Sequence, residues 1–178
     1  TYSLTYILPG ATLFRGQFSF TGQTINGELR IPEDISYSNN PSSLLIYIYD
    51  EENEARSAVS NIYLSGGNAS NDNFGPQISF ENKIGTKLEY GDHFDTDGGV
   101  IIRLSDPLGI NLTNETGHEI IIEDKNSMQS LTVTNDFFYD LNSITTGTLN
   151  YSTSEESIHL NVKVWDNANN PSQKEIKL

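Results

Sequence analysis

The sequence predicts an all-β protein, and three observations carry the prediction. Apolar residues recur with a period of two over most of the chain. Gly-, Asn-, Asp- and Pro-containing turn signals punctuate these runs at roughly 8–12-residue spacing. No window of a dozen residues holds a convincing helical period. Short strands at such spacing suggest sandwiches rather than one closed barrel.

Taken in chain order, the first candidate strands are Tyr2 to Leu8, Phe14 to Thr21 and Ile25 to Ile31, with Gly22-Gln23 and Asn26-Gly27 as turn signals. Leu44, Ile46 and Ile48 then alternate with Leu45, Tyr47 and Tyr49, so both faces of that strand are apolar. Val59 to Leu64 and Gln77 to Glu81 follow, on either side of the Gly66-Gly67-Asn68 signal. Val100, Ile102 and Leu104 alternate with Ile101, Arg103 and Ser105, the pattern of a strand with one buried face. Asp106-Pro107-Leu108-Gly109 closes it, and Glu119 to Glu123 and Ser130 to Val133 come next. The clearest strand is the last: Ile158, Leu160, Val162 and Val164 alternate with His159, Asn161, Lys163 and Trp165.

The best boundary is 66–76, GGNASNDNFGP, small and polar and closed by Gly75-Pro76, as a linker between β-domains would be. An internal echo supports the cut. LLIYIYDEENEARSAVSNIYL (44–64) and HLNVKVWDNANNPSQKEIKL (159–178) share one order of parts: a strand, an Asp, a short turn and a second strand. Asp50 and Asp166 stand where their strands end, placed to accept backbone N–H groups of the turn. Many bacterial immunoglobulin-like modules finish in this way. The expected architecture is therefore two consecutive immunoglobulin-like β-sandwich domains, 1–68 and 76–178, joined by a linker at 69–75. The first is short for seven strands and is expected to be cut at its start. The chain opens at Thr1 without an initiator Met, which suggests a processed chain or an excised piece.

Composition narrows the function classes. With 24 acidic and 10 basic side chains among 178 residues, the formal net charge is −14. Such a surface repels phosphate backbones, so nucleic acid is not an expected partner. No apolar run approaches the roughly 20 residues of a spanning helix. The absence of cysteine removes disulfides, a thiolate zinc site and a cysteine nucleophile from this chain. The wealth of Asn, Ser and Thr has a secreted or cell-surface flavour.

No nucleophile elbow, phosphate-binding loop or His-Glu-x-x-His run occurs, and no catalytic residue is assigned. His159 falls on the polar side of its strand, and His118, beside Glu119, is expected to play a structural part in a turn. The sharpest local signal is GDHFDTDGG at 91–99. Asp92, Asp95 and Asp97 with flanking glycines offer the hard oxygen ligands that calcium prefers. The competing reading is an acidic hairpin tip left in water. Phe137, Phe138 and Tyr139, with Tyr47, Tyr49 and Tyr63, make either a sugar-binding platform or core and cross-strand pairs.

A set of segments carries a resemblance in its order: GPQISF at 75–80, GD at 91–92, RLSDPLGINLTNETGHEIII at 103–122, LTVTNDFFYDLNSITTGTLNY at 131–151 and HLNVKVWDNANNPS at 159–172. LPGATLFRG at 8–16 and IPEDISY at 31–37 extend it through the first half. Together they resemble the region C-terminal to the catalytic domain in the surface sortase of the type IX secretion system, within the gingipain-type cysteine peptidases. Glu119 stands where that family usually has Asp. The resemblance implies a non-catalytic part of a cell-surface sortase-like peptidase, on the outer surface of a Gram-negative bacterium. The catalytic Cys and His would lie in an upstream domain of the same polypeptide. Implied partners are that domain, secreted cargo and secretion-system proteins. An adhesive or carbohydrate-binding module, calcium-stabilised, is the alternative.

Overall fold

The computed structural model describes residues 10–22, 24, 26–33, 35, 41–94 and 99–178. It is all-β, with three antiparallel sheets and no α-helix among the described residues. The chain divides into two compact units, Thr1–Gly10 with Ile35–Ala69 and Ala11–Asp34 with Ser70–Leu178.

In the first unit, β1 (Ser42–Tyr49) and β2 (Glu54–Ile62) form a two-stranded antiparallel hairpin, from Tyr49 opposite Glu54 to Ser42 opposite Ile62. Its turn is built as the sequence suggests. Asp50 ends β1, and its Oδ1 accepts the backbone N–H groups of Glu52 and Asn53 at 2.8 and 2.7 Å. Those bonds favour the charged form and hold the carboxyl below the usual aspartate range. The candidate strand at Tyr2 to Leu8 lies outside the described residues.

The second unit carries two larger sheets. Their strands are β3 (Gln77–Glu81), β4 (Lys87–Leu88), β5 (Val100–Ser105), β6 (Ile121–Asp124), β7 (Gln129–Thr132), β8 (Phe138–Tyr139), β9 (Thr146–Tyr151), β10 (His159–Trp165) and β11 (Pro171–Lys177). One sheet has the order β11-β10-β6-β7 and the other β4-β3-β5-β9-β8. The period-two reading explains why these strands face as they do. Val100, Ile102 and Leu104 of β5 and Leu160, Val162 and Val164 of β10 are all buried, while Ile101, Arg103, Lys163 and Trp165 are half-buried. Inward residues of both sheets join one apolar cluster with Phe80, Ile122, Leu149 and Ile176, giving a sandwich-like core. Each such side chain removed from water contributes about 1.5–3 kcal/mol.

The strand expected over 14–21 is not formed, and the described residues of 25–31 form none either. Side chains explain this segment better than ladder bonds do. Phe14 stacks on Tyr139 with ring centroids 5.2 Å apart. Arg15 spreads its guanidinium over the carbonyls of Asn135 and Phe137, at 2.7 and 2.9 Å. Those carbonyls belong to a 3₁₀ turn, Thr134–Asp136, and the residue after it. A cation held there complements the negative ends of the carbonyl dipoles.

Candidate functional site

Three aspartates converge in the second unit. Asp72, Asp106 and Asp166 each offer a carboxylate oxygen, and these oxygens lie within 4.8 Å of one another. Asp106 and Asp166 are buried and Asp72 is half-buried.

Each carboxylate is placed by a turn of its own. Asp106 follows β5; its N–H donates to Thr145 O at 2.8 Å, and its Oδ1 accepts the Leu108 N–H at 2.7 Å. Gly109, at φ +84°, then swings the chain back. An added Cβ there would meet Ile144 O, Tyr139 Oη and Asn167 Nδ2 at 2.8–3.0 Å, so only glycine fits. Asp166 follows β10, and its Oδ1 accepts Ala168 N–H at 2.8 Å and Asn170 N–H at 2.7 Å. The two turns are pinned together. Ile110 bridges Asp166, Asn111 N–H donates to Trp165 O at 2.9 Å, and Asn167 N–H donates to Gly109 O at 3.1 Å. The hydroxyl of buried Tyr139 braces this corner, accepting Ile110 N–H at 2.7 Å and donating to Ile110 O at 3.2 Å.

Asp72 arrives on the segment expected as linker. Its Oδ1 accepts Phe74 N–H at 3.1 Å, and its carbonyl accepts Asn170 Nδ2 at 3.1 Å. Gly75 passes so close to Pro171 that an added Cβ would lie 2.3 Å from the Pro171 carbonyl oxygen. Ser70 N–H donates to Glu33 Oε1 at 2.6 Å, and Glu33 N–H donates to Asn167 O at 2.9 Å. Residues 70–75 are thus tied down on the turns that carry the other two aspartates.

Burial governs the titration of Asp106. The Asp106 carboxyl is pushed up to about 6, chiefly by burial. The Leu108 N–H works against that, while the charges of Asp166 and Asp72 add to it. The folded protein therefore holds this proton more tightly than the unfolded chain does. Its contribution is fully present below the ordinary aspartate range and is lost as pH rises through about 6. In a chelating buffer, wild type is expected to lose about 2 kcal/mol between pH 4.5 and 7 relative to Asp106→Asn. Denaturant melts of both proteins measure this, and parallel pH profiles would contradict it.

The described residues among those singled out from sequence have the following surroundings. Asp92 is exposed, and its Oδ2 accepts Glu89 N–H at 2.8 Å. Asp95 and Asp97 lie outside the described residues. His118 sits against the Trp165 ring, centroids 4.5 Å apart, and His159 pairs with Glu175 and meets the edge of Tyr90. Phe137 and Tyr139 are core residues, whereas Phe138 is exposed beneath Arg15. The acidic triad was legible only as two separate turns and, for Asp72, a stretch of linker. The shared signal is an Asp that opens a tight turn, as in Asp106-Pro107-Leu108 and Asp166-Asn167-Ala168.

No family model and no curated protein matches the chain. Among solved structures, the crystal structure of dimeric latent PorU from Porphyromonas gingivalis is similar in fold, with a TM-score of 0.51 at 23% identity. The match covers 83% of this chain and 14% of that one, so the chain spans about one-seventh of PorU.

Proposed function

We propose that this chain is the non-catalytic β-sandwich part of a cell-surface, sortase-like cysteine peptidase that cleaves and anchors cargo of type IX secretion. It serves there as scaffold or as a surface for cargo and partner proteins, on the outer face of a Gram-negative cell. The observation that carries the reading is the coincidence of two likenesses. The fold of 83% of the chain is shared with PorU, a type IX secretion sortase, and the ordered motifs resemble the region after the catalytic domain of that sortase. The motif residues are also those that shape the turns: SDPLGIN turns the chain after β5, NDFFY supplies the 3₁₀ turn and β8, and WDNANNP joins β10 to β11. The immunoglobulin-like reading of the sandwich and the division at 69–75 belong to this proposal. So does the assignment of chemistry to an upstream Cys-His domain. The reading frame that encodes the chain tests it. A caspase-like α/β domain with a Cys-His pair is expected upstream, and the purified chain is expected to show no peptidase activity alone. An upstream sequence of another class overturns the reading.

One observation favours an adhesive, sugar-binding role as the second reading. Tyr47 and Tyr49 are exposed on the same face of β1 with ring centroids 5.6 Å apart, and Arg56 lies over Tyr47. Glycan-array binding that Tyr49→Ala abolishes would favour this role, with calcium at Asp92, Asp95 and Asp97 as its stabiliser.

A further inference from the structure

Three carboxylates gathered where two are buried need something positive among them. Within the triad's own turns, the donors to these carboxylates are backbone N–H groups and the Asn170 amide, which bonds Asp166 Oδ2 at 2.9 Å. A second observation points to a ligand. Asn167 is only 3% exposed, and its Oδ1 is sealed from water without a hydrogen-bond partner. Its amide nitrogen is fixed to Leu108 O at 2.8 Å and its backbone N–H to Gly109 O. That pairing holds the orphan oxygen in the seam between the Asp106 turn and the Asp166 turn. A buried amide oxygen left unpaired is costly unless a donor or a cation meets it.

We infer that Asp72, Asp106 and Asp166, with the Asn167 amide oxygen, form a site for a calcium-class divalent cation that clamps residues 70–75 onto the sandwich. Every donor is oxygen, the set that hard cations take. Oxygens on opposite sides of one calcium ion stand about 4.8 Å apart, and the three carboxylates meet that limit. The ion would neutralise the mutual repulsion of the triad. It would also join Asp72, whose segment precedes β3, to the turns after β5 and β10. This site uses none of the acidic residues at 91–99 and is independent of the proposed sortase role.

The test is the melting temperature of the 178-residue chain in chelator and in calcium chloride, beside calorimetric titration with calcium alone. Calcium well above its Kd is expected to raise Tm by about 5 °C or more. Asp106→Asn keeps the acceptor for Leu108 N–H while removing one charge. It is expected to melt higher than wild type in chelator and lower than wild type in calcium, with the calcium response lost. Asp72→Asn, half-buried and so the safer variant for folding, is expected to behave alike. Asp95→Asn is expected to keep the full response. No heat and no shift at millimolar calcium overturns the site. So does a response that survives Asp72→Asn and Asp106→Asn, or one that Asp95→Asn alone removes.

Discussion

Replacing Gly109 by alanine is expected to lower stability by about 2–5 kcal/mol, with two physical sources. The residue sits at φ +84°, where an L side chain costs about 1–2 kcal/mol. Its Cβ would also press on Ile144 O, Tyr139 Oη and Asn167 Nδ2 at 2.8–3.0 Å, none of them the free end of a long flexible chain. Overpacking of that kind typically adds about 1–3 kcal/mol. The clash also pushes on Tyr139, whose hydroxyl satisfies both backbone groups of Ile110. Gly85 separates the two sources. Its φ is +80°, but nothing lies within 4 Å of an added Cβ, so Gly85→Ala isolates the backbone cost. Urea titration of the two variants measures the difference. Equal losses would mean that the corner bracing the aspartates is looser than its geometry implies.

The sandwich was readable because burial on one face writes itself as period two. Val100-Ile102-Leu104 and Leu160-Val162-Val164 turn the same face inward residue by residue, and both triplets are buried. The strand-ending aspartates were readable for a local reason. An Asx turn needs only the next few residues, and Asp50 and Asp166 each collect two turn N–H groups as their spacing suggests. What local pattern does not encode is convergence. Asp72, Asp106 and Asp166 stand far apart in sequence; the pairing of the Gly109 and Asn167 turns joins the last two, and the bond from Asn170 to the Asp72 carbonyl brings in the first. The 14–21 segment misled for the same reason. Its apolar residues imitate a strand, but Phe14 and Arg15 spend themselves on Tyr139 and the 3₁₀ turn.

The same logic bears on the small, polar run before β3. Gly, Asn, Ser and Asp read as a free linker because such residues favour turns and bury little surface. Here those properties let the chain lie tightly against another backbone. Gly75 clears the Pro171 carbonyl because it has no Cβ, and Asp72 and Ser70 each bond a backbone N–H two residues along. Polar, small sequence marks where backbone can approach backbone as well as where it can move.

Phe137→Ala is expected to cost about 3–5 kcal/mol, whereas Phe138→Ala should cost less than about 1 kcal/mol. Neighbours on an extended chain face opposite ways, and the three aromatics from Phe137 to Tyr139 obey that rule. Phe137 is fully buried, meets Tyr139 edge-on with centroids 5.0 Å apart, and fills the space over Gly147. An added Cβ on Gly147 would lie 2.5 Å from Phe137 Cζ, so the ring has closed on that glycine, and its removal leaves a void that Gly147 has no side chain to fill. Phe138 is 55% exposed, and the Arg15 guanidinium lies over its ring at 5.0 Å. Thermal melts of the two variants decide whether this aromatic run is core or platform. A Phe138→Ala variant as damaged as Phe137→Ala would mean that the outer ring is covered in the folded protein. A large difference leaves Phe137 and Tyr139 as the packing that holds the Ile110 corner, and with it the Asp106 and Asp166 turns, in place.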